Sequence, residues 1–442
     1  MSIKESINND QLNEAHKSLY DELDFSCQYS DNLPAILKQL NISVAFTSYQ
    51  AGRLMLLRSD GKTLDVNFKS FTRPMGLSAT EQGLTLGIFT QVMHFQREDG
   101  LLEKIKQPLK KIEDDVTAPR IKPKETEIEK IENSASEETK EIENNILEKD
   151  SKLEDVKKQK DYDESLYAPV DERVDACFIT RASHYTGMIN VHDIGWGDEG
   201  LWAVNSSFSC LCTIEPDFSF VPHWKPHFIS ELVPEDRCHL NGMTLRDGKP
   251  AYVTTFSTFN ESAMWRKSKE FNGTLMDVAT NKILVDGLAM PHSPRWYRDK
   301  VYFCNSGEGQ VCTYDPATGD VETIVEVPGF TRGIAFYGQF MLLGLSRVRA
   351  SDVTRPAPLA KKYEHTFSGV WLINLDDHSI VGNVSFTGNV DQIYDVAVLA
   401  DCSFPEVIEP THPRMRNHFC YPPLSSSTAE LAHEDHLYVR YI

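Results

Sequence analysis

The sequence predicts an all-β protein, a six-bladed β-propeller. One short pattern, a polar residue followed by a small or acidic one and then an apolar run, recurs along the chain. Its six copies begin at Met75, His192, Asn241, His292, Arg332 and Tyr394. Intervals of 49, 51, 40 and 62 residues separate the last five copies, and each is about the length of one propeller blade. Because a propeller repeats each position around one axis, we expect these six residues to converge.

The unit that begins at Pro291 shows how each copy predicts four antiparallel strands. Turn residues of the types that favour reversals separate its apolar runs. The predicted strands cover 293–297, 300–304, 310–314 and 321–327. The first of these is the inner strand, nearest the axis, and the last is the outer one.

The two ends of the repeat predict how the ring closes. The copy at Tyr394 has an inner strand but stops near Pro405, whereas residues 43–57 read as a hairpin and 63–71 as a third strand. We expect these N-terminal strands to complete the C-terminal blade, which leaves no exposed sheet edge at the junction.

The predicted domain organisation has three parts. Residues 1–40 form a polar N-terminal extension, 41–405 the propeller, and 406–442 a C-terminal tail. A charged low-complexity insert, 103–165, interrupts the first blade. Its Lys and Glu content is typical of a solvated, disordered or helical segment outside the core, and recruitment of a partner protein is the alternative.

Composition limits the function classes. A formal net charge of −20 argues against nucleic acid as a partner. No run of about 18 apolar residues predicts a membrane span, and the N-terminus lacks the apolar core of a signal peptide. Nine irregularly spaced cysteines indicate a cytoplasmic protein with reduced thiols. Cys210 and Cys212 are read as packed thiols, with a metal or redox pair as the alternative.

The strand starts supply the candidate site. His192, Asn241 and His292 are predicted ligands of a divalent metal, since imidazole and amide oxygen both suit such ions. Arg332 would hold a carboxylate or phosphate group, His292 would handle protons, and Asp395 is the spare carboxylate. The structural alternative is that these polar groups bond neighbouring backbone or water in the central channel.

Loops after the second strands should surround the same end of the axis. Together with Tyr394 they supply four predicted substrate-binding residues, Asn205, Asn305, Ser306 and Arg347. Ordinary turn chemistry is the alternative for each loop. Residues 265–267 (Trp-Arg-Lys) are a candidate lid. The sequence contains no phosphate-binding loop, nucleophile elbow or HExxH motif.

Several motifs resemble those of an uncharacterised family of bacterial conserved hypothetical proteins, described as a domain of unknown function. They lie at 48–52 (SYQAG), 73–77 (RPMGL), 238–243 (CHLNGM), 290–296 (MPHSPRW), 304–307 (CNSG) and 328–333 (PGFTRG). The resemblance covers nearly all of 40–405. It implies a propeller fold and no established activity, and the charged insert departs from the family's compact pattern.

A more distant similarity is to the gluconolactonase and senescence-marker-protein propellers. In those proteins an Asn-Gly at an inner-strand start contributes a metal ligand, and Asn241-Gly242 matches that element. Met75 stands where the resemblance would require a metal-binding Glu. His192 and His292 are additions to that family's pattern, so these departures favour zinc or iron over calcium.

Two functions follow as hypotheses. The first is a metal-assisted hydrolase or lactonase-like enzyme that acts on a small anionic substrate. The second is a binding module without catalysis, whose central funnel captures a peptide or a small anion and whose insert tethers a protein partner.

Overall fold

The structure, a computed structural model, describes residues 24–109, 165–348 and 356–421. The chain divides into two compact units, one made of residues 1–99 and 175–409 and the other of 100–174 and 410–442. Every strand given below belongs to the first unit. Within the described ranges, no helix has the length and apolar character needed to span a membrane.

Five elements precede the first copy of the repeat. They are β1 (Cys27–Tyr29), α1 (Leu33–Leu40), β2 (Ile42–Ser48), β3 (Arg53–Ser59) and β4 (Leu64–Ser70). The first copy begins β5 (Leu77–Thr80), β6 (Gly83–Gly87), β7 (Gln91–Arg97), the helix α2 (Leu102–Ile105) and β8 (Ala176–Tyr185).

The next three copies each give four strands. The second gives β9 (Val191–Gly197), β10 (Gly200–Asn205), β11 (Cys210–Thr213) and β12 (Val221–Trp224). The third gives β13 (Leu240–Arg246), β14 (Lys249–Thr255), β15 (Gly273–Asp277) and β16 (Lys282–Leu288). The fourth gives β17 (Pro291–Tyr297), β18 (Lys300–Asn305), β19 (Gln310–Tyr314) and β20 (Val321–Glu326).

The last two copies complete the element order. The fifth gives β21 (Phe330–Tyr337), β22 (Phe340–Ser346), the helix α3 (Leu359–Lys362), β23 (Gly369–Asn374) and β24 (Ile380–Phe386). The sixth gives β25 (Val396–Ala400) and β26 (Pro405–Ile408). Short 3-10 turns lie at Asp99–Leu101, Met264–Arg266, Ser306–Glu308 and Pro413–Asn417.

Six separate sheets in the described part of the chain, antiparallel except for the pairing of β26 with β8, confirm the predicted propeller. Each copy of the repeat begins the inner strand of its own sheet, in the order β5, β9, β13, β17, β21 and β25. Six clusters of buried apolar side chains pack the structure, one at each interface between neighbouring sheets. The blades therefore form a closed ring, and the apolar face of every sheet is covered.

The closure of the ring follows the prediction. The sixth sheet has the order β25-β2-β3-β4, so the N-terminal strands complete the C-terminal blade. β2 pairs antiparallel with β25, with Ile42 opposite Ala400 and Phe46 opposite Val396. Phe46 is fully buried, in the cluster between the fifth and sixth sheets.

Two short strands extend sheets that the repeat alone would leave at four strands. β1 pairs antiparallel with β24, and β26 pairs parallel with β8. Glu406 of β26 accepts ion pairs from Arg58 at 3.0 Å and from Lys69 at 2.5 Å, both on the sixth blade. The propeller sheets thus include residues on both sides of the expected bounds of 41–405, since β1 lies before residue 41 and β26 ends after residue 405.

The second unit is small in its described part. Arg414 donates from Nη2 to the carbonyl oxygens of Gln107 at 2.8 Å and Ala168 at 3.0 Å. The N–H of Leu109 donates to the carbonyl of Tyr167 at 2.8 Å. Of the predicted insert, residues 110–164 lie outside the described residues, as do 1–23 and 422–442 of the predicted extension and tail.

Candidate functional site

A cavity of about 420 Å³ opens at the end of the axis where the inner strands begin, and we call it the entry cavity. Its wall includes four arginines, Arg73, Arg266, Arg332 and Arg347. It also includes two histidines, His192 and His239, and five aromatic residues, Tyr49, Phe256, Trp265, Phe330 and Tyr394. Among the described residues, no Asp or Glu lines it. The wall is thus cationic and aromatic in a chain whose formal net charge is −20.

Arg332 lies between two rings of the wall. Its guanidinium carbon is 5.1 Å from the ring centroid of Phe330 and 5.1 Å from that of Tyr394. Aromatic faces attract a guanidinium and restrict its orientation. Arg332 therefore lies on the cavity wall in a restricted orientation, and its role in holding an anionic group stays a prediction.

Hydrogen bonds hold the guanidinium group of Arg347 in place. Its Nη1 donates to Asp391 Oδ1 at 2.6 Å and to the carbonyl of Gly388 at 3.1 Å, and its Nη2 donates to the carbonyl of Phe386. These bonds hold the predicted substrate-binding arginine at the cavity wall. Asp391 itself is not a wall residue.

His192 and Tyr394 carry buried polar atoms that no described residue satisfies. Both side chains line the cavity, and the relative exposures are 9% for His192 and 6% for Tyr394. His192 Nδ1 and the Tyr394 hydroxyl are the atoms concerned. Burial holds the pKa of His192 well below its usual range, and the charge of His239 lowers it further. Burial raises the pKa of Tyr394 well above its usual range. At neutral pH both groups are therefore neutral hydrogen-bonding partners.

His292 lies behind the wall. Its ring packs against Phe256 at 5.0 Å and Phe330 at 5.5 Å between centroids. Its Nδ1 is 3.0 Å from the carbonyl of Met290 and 2.9 Å from the Ser306 hydroxyl. Because a carbonyl only accepts, Nδ1 carries the proton. Burial holds the pKa of His292 well below its usual range, and Arg332 lowers it further.

The other predicted polar residues support the framework. Asn241 accepts from the Thr254 hydroxyl at 2.8 Å and donates to the carbonyl of His239 at 3.3 Å. Asn205 accepts from the N–H of Phe208 at 3.0 Å, and Asn305 accepts from the N–H of Ala289 at 2.8 Å. Asn205, Asn241, Asn305 and Ser306 do not line the entry cavity.

Asp395 belongs to a layer further along the axis, which we call the carboxylate layer: Asp193, Arg295 and Asp395. Arg295 Nη1 donates to Asp193 at 2.7 Å, and its Nη2 donates to Asp395 at 3.3 Å. Asp395 also accepts from the backbone N–H of Leu77 and of Val396. Asp193 and Arg295 line a second cavity of about 300 Å³, the exit cavity, and not the entry cavity.

Burial raises the pKa of Asp395 to about 7, although the charge of Arg295 acts in the opposite direction. Asp395, the predicted catalytic carboxylate, does not line the entry cavity, and its oxygens accept hydrogen bonds from Arg295 and from the backbone of Leu77 and Val396.

The predicted metal ligands fit a metal ion poorly. Of His192, Asn241 and His292, only His192 lines the entry cavity. The Asn241 amide oxygen is engaged by Thr254, and Arg332 places a positive charge beside both histidines. In the described part of the chain, no group of three or more His, Cys, Asp or Glu is arranged to hold a metal ion. A zinc or iron ion at this position therefore stays a prediction.

The cysteine pair shows the properties of packed thiols. Cys210 and Cys212 are both buried on β11, and burial raises the pKa of Cys210 to about 12. Cys212 donates to the carbonyl of Ala203 at 3.6 Å. Neither sulfur is therefore a thiolate at neutral pH.

Arg73 and His239 line the cavity but are not among the residues that the sequence predicted. Residues two positions before the repeat starts also line the entry cavity, namely Arg73, His239, Met290, Phe330 and Gln392. Arg73 and His239 have φ values of 50° and 52°, in the left-handed region. The repeat numbering itself was the available signal. Of the predicted lid, Trp265 and Arg266 line the cavity, and Lys267 does not.

The fold defines the class of protein, a six-bladed propeller, here with a cationic cavity at one end of its axis. A family sequence model described as "Domain of unknown function (DUF4915)" matches residues 31–137 and 139–408. The chain therefore belongs to this family, and the first predicted resemblance is confirmed.

No curated protein matches the chain, so the predicted similarity to gluconolactonases has no support from the comparisons. Two solved structures are similar at low identity. A chain of a nidogen/laminin complex has a TM-score of 0.44 and 8% identity, with coverage of 82% of this chain and 99% of that one. The computationally designed Ika8 protein has a TM-score of 0.35 and 8% identity, with coverage of 80% and 86%.

Proposed function

We propose that the entry cavity binds a small organic anion. The single observation that carries this proposal is the composition of its wall, with four guanidinium groups and no carboxylate among the described residues. Two of these guanidinium groups, those of Arg266 and Arg347, also pair with carboxylates that lie outside the wall, Asp236 and Asp391. A cationic cleft raises the local concentration of anions and speeds their association.

The chemistry of the wall suits carboxylate or phosphate oxygens. Guanidinium groups form charge-assisted, often bidentate hydrogen bonds to both anions. Arg332 is oriented by two rings, and Arg347 by Asp391 and two carbonyls, so less side-chain entropy is lost on binding. A bound anion would also give the Tyr394 hydroxyl an acceptor, which it lacks among the described residues.

We assign capture of the anion, and no reaction step, to this site. Catalysis assisted by a metal was predicted from His192 and His292, but the second of these does not line the cavity, and Arg332 places a positive charge beside both. Among our predictions, ligand binding therefore ranks ahead of a hydrolase or lactonase. A cytoplasmic location also stays a prediction, and a protein partner for the insert concerns residues mostly outside the described ones.

Calorimetric titration with citrate and with inorganic phosphate tests the proposal. We expect saturable binding of at least one anion, with an affinity that falls as sodium chloride is raised, because screening weakens exposed charge pairs. Arg298→Gln is the matched control for a substitution in the wall such as Arg332→Gln. Arg298 pairs with Asp376 at 2.9 Å and is not part of the wall. Absence of binding by the wild-type protein at millimolar anion would refute the proposal.

A further inference from the structure

The wall of the entry cavity contains a continuous row of planar groups with an arginine at each end. The row runs Arg266, Trp265, His239, His192, Tyr394 and Arg332, and all six residues line the cavity. The guanidinium carbon of Arg266 is 4.1 Å from the Trp265 ring centroid, and that of Arg332 is 5.1 Å from the Tyr394 ring centroid. Four rings therefore separate the two guanidinium groups.

Direct contacts join the four rings. Trp265 and His239 have centroids 4.1 Å apart, His239 and His192 4.7 Å apart, and His192 and Tyr394 5.4 Å apart. The last two pairs meet edge to face, an arrangement that aromatic rings favour. The row is thus one packed surface rather than a set of independent side chains.

Asp236 fixes the Arg266 end of the row. Its Oδ2 accepts from Trp265 Nε1 at 3.1 Å and from Arg266 Nη2 at 3.3 Å, and its Oδ1 lies 2.8 Å from His239 Nδ1. One carboxylate outside the wall therefore holds three consecutive members of the row. The Arg266 side chain keeps 60% of its surface exposed, so its guanidinium remains open to a ligand.

The Arg332 end of the row is more buried than the Arg266 end and has different neighbours. Arg332 lies half-buried between Phe330 and Tyr394. The middle of the row carries the two polar atoms without described partners, His192 Nδ1 and the Tyr394 hydroxyl. In order of contact around the cavity, the row is therefore a cation, rings with hydrogen-bonding groups, and a second cation.

We infer that the entry cavity takes an organic dianion with one anionic group at each end, held between Arg332 and Arg266. This inference rests on the proposed function and narrows its ligand class. Arg332 binds the inner anionic group, the rings and unpartnered polar atoms contact the middle of the ligand, and Arg266 binds the outer group. Asp236 acts as a positioning residue for the outer end and does not touch the ligand.

A length series of straight-chain dicarboxylates tests the inference. Succinate through suberate would be titrated calorimetrically at low ionic strength, each beside the monocarboxylate with the same number of carbons. We expect one length at which the dicarboxylate binds at least tenfold more tightly than its monocarboxylate. Arg266→Gln should remove that advantage while it changes monocarboxylate affinity less than twofold, because only the outer contact is lost.

The control is Arg298→Gln, which removes an exposed guanidinium elsewhere and should preserve the advantage. Circular dichroism would show that both variants are folded. Equal affinity for mono- and dicarboxylates at every length, or an advantage that survives Arg266→Gln, would overturn the inference and leave anion binding standing. Failure of the wild-type protein to bind any of these carboxylates would overturn the inference and count against the proposed function as well.

Discussion

The wall of the entry cavity and the carboxylate layer both contain charged residues near one axis, but they differ in where the carboxylates lie. The layer contains its own carboxylates, whereas the two that pair with wall arginines, Asp236 with Arg266 and Asp391 with Arg347, lie outside the wall. In the layer, Arg295 bonds Asp193 and Asp395, and both carboxylates also accept from backbone N–H groups. In the wall, no described carboxylate faces the arginines from within the cavity, and His192 and Tyr394 keep polar atoms without described partners. The charges of the layer are thus bonded within the ring, whereas the wall presents guanidinium groups and two polar atoms without described partners to the cavity, which is the basis of the proposed anion binding.

The second residue of the repeat, which includes Asp193 and Asp395 of the carboxylate layer, alternates in type from blade to blade. The second residue of the repeat is an acceptor in the second, fourth and sixth copies, Asp193, Ser293 and Asp395, and a glycine in the others, Gly76, Gly242 and Gly333. Each acceptor takes a backbone N–H from the next blade, those of Met243, Gly333 and Leu77. A Cβ on Gly333 would lie 2.6 Å from the backbone nitrogen of Val396. The blades are thus linked in three pairs.

Substitution of Arg295 should have the largest effect on this comparison. Arg295→Met leaves two buried carboxylates without their cation, and loss of one partner of a buried ion pair costs about 3–5 kcal/mol. Urea unfolding would measure the loss. Arg298→Gln, at an exposed pair, should change the unfolding free energy by less than about 1 kcal/mol. A small loss for Arg295→Met would mean that the layer does not hold the ring together.

The pH dependence of stability gives a smaller and sharper test. The pKa of Asp395 in the folded protein is raised to about 7 from its usual value of 3.8, so the folded state retains a proton that the unfolded state has released. The stability that this group contributes is therefore present below pH 3.8 and is lost as the pH rises through 7. The Asp395→Asn variant lacks this contribution, because the Asn side chain does not titrate.

The unfolding free energy of the wild type minus that of Asp395→Asn should consequently decrease from pH 5 to pH 8. One pH unit corresponds to at most about 1.4 kcal/mol for a single group. Asp376→Asn, at an exposed carboxylate, supplies the baseline for loss of a surface charge. A difference that rises with pH would show instead that Arg295 keeps Asp395 ionised.

The sequence predicted the ring well because the ring is periodic. The six repeat starts, the four-strand unit and the closure by β2, β3 and β4 all follow from local patterns of apolar and turn residues. β26 was missed since its four residues pair with β8, a strand far earlier in the chain, and no local pattern encodes that partner.

The site was harder to predict for two physical reasons. Arg73 and His239 lie in left-handed backbone before their strands, where the alternation of a strand does not apply, so that alternation did not predict their inward positions. Only their shared place two residues before a repeat start could have indicated them. Arg295 reaches Asp193 and Asp395 on other blades, and such a contact depends on the closed ring. Residues at the same repeat position also differ in their surroundings: Asn241 bonds Thr254 in the framework, whereas Arg332 lines the entry cavity.

The central claim is that the entry wall binds an anion and the carboxylate layer holds the fold, and Arg332→Gln tests it most directly. Citrate affinity and urea unfolding would be measured on the same preparation, beside Arg295→Met. We predict at least a tenfold loss of citrate affinity for Arg332→Gln, with a loss of unfolding free energy of about 1 kcal/mol or less. Unchanged affinity in Arg332→Gln, or a loss of stability as large as that of Arg295→Met, would contradict the account.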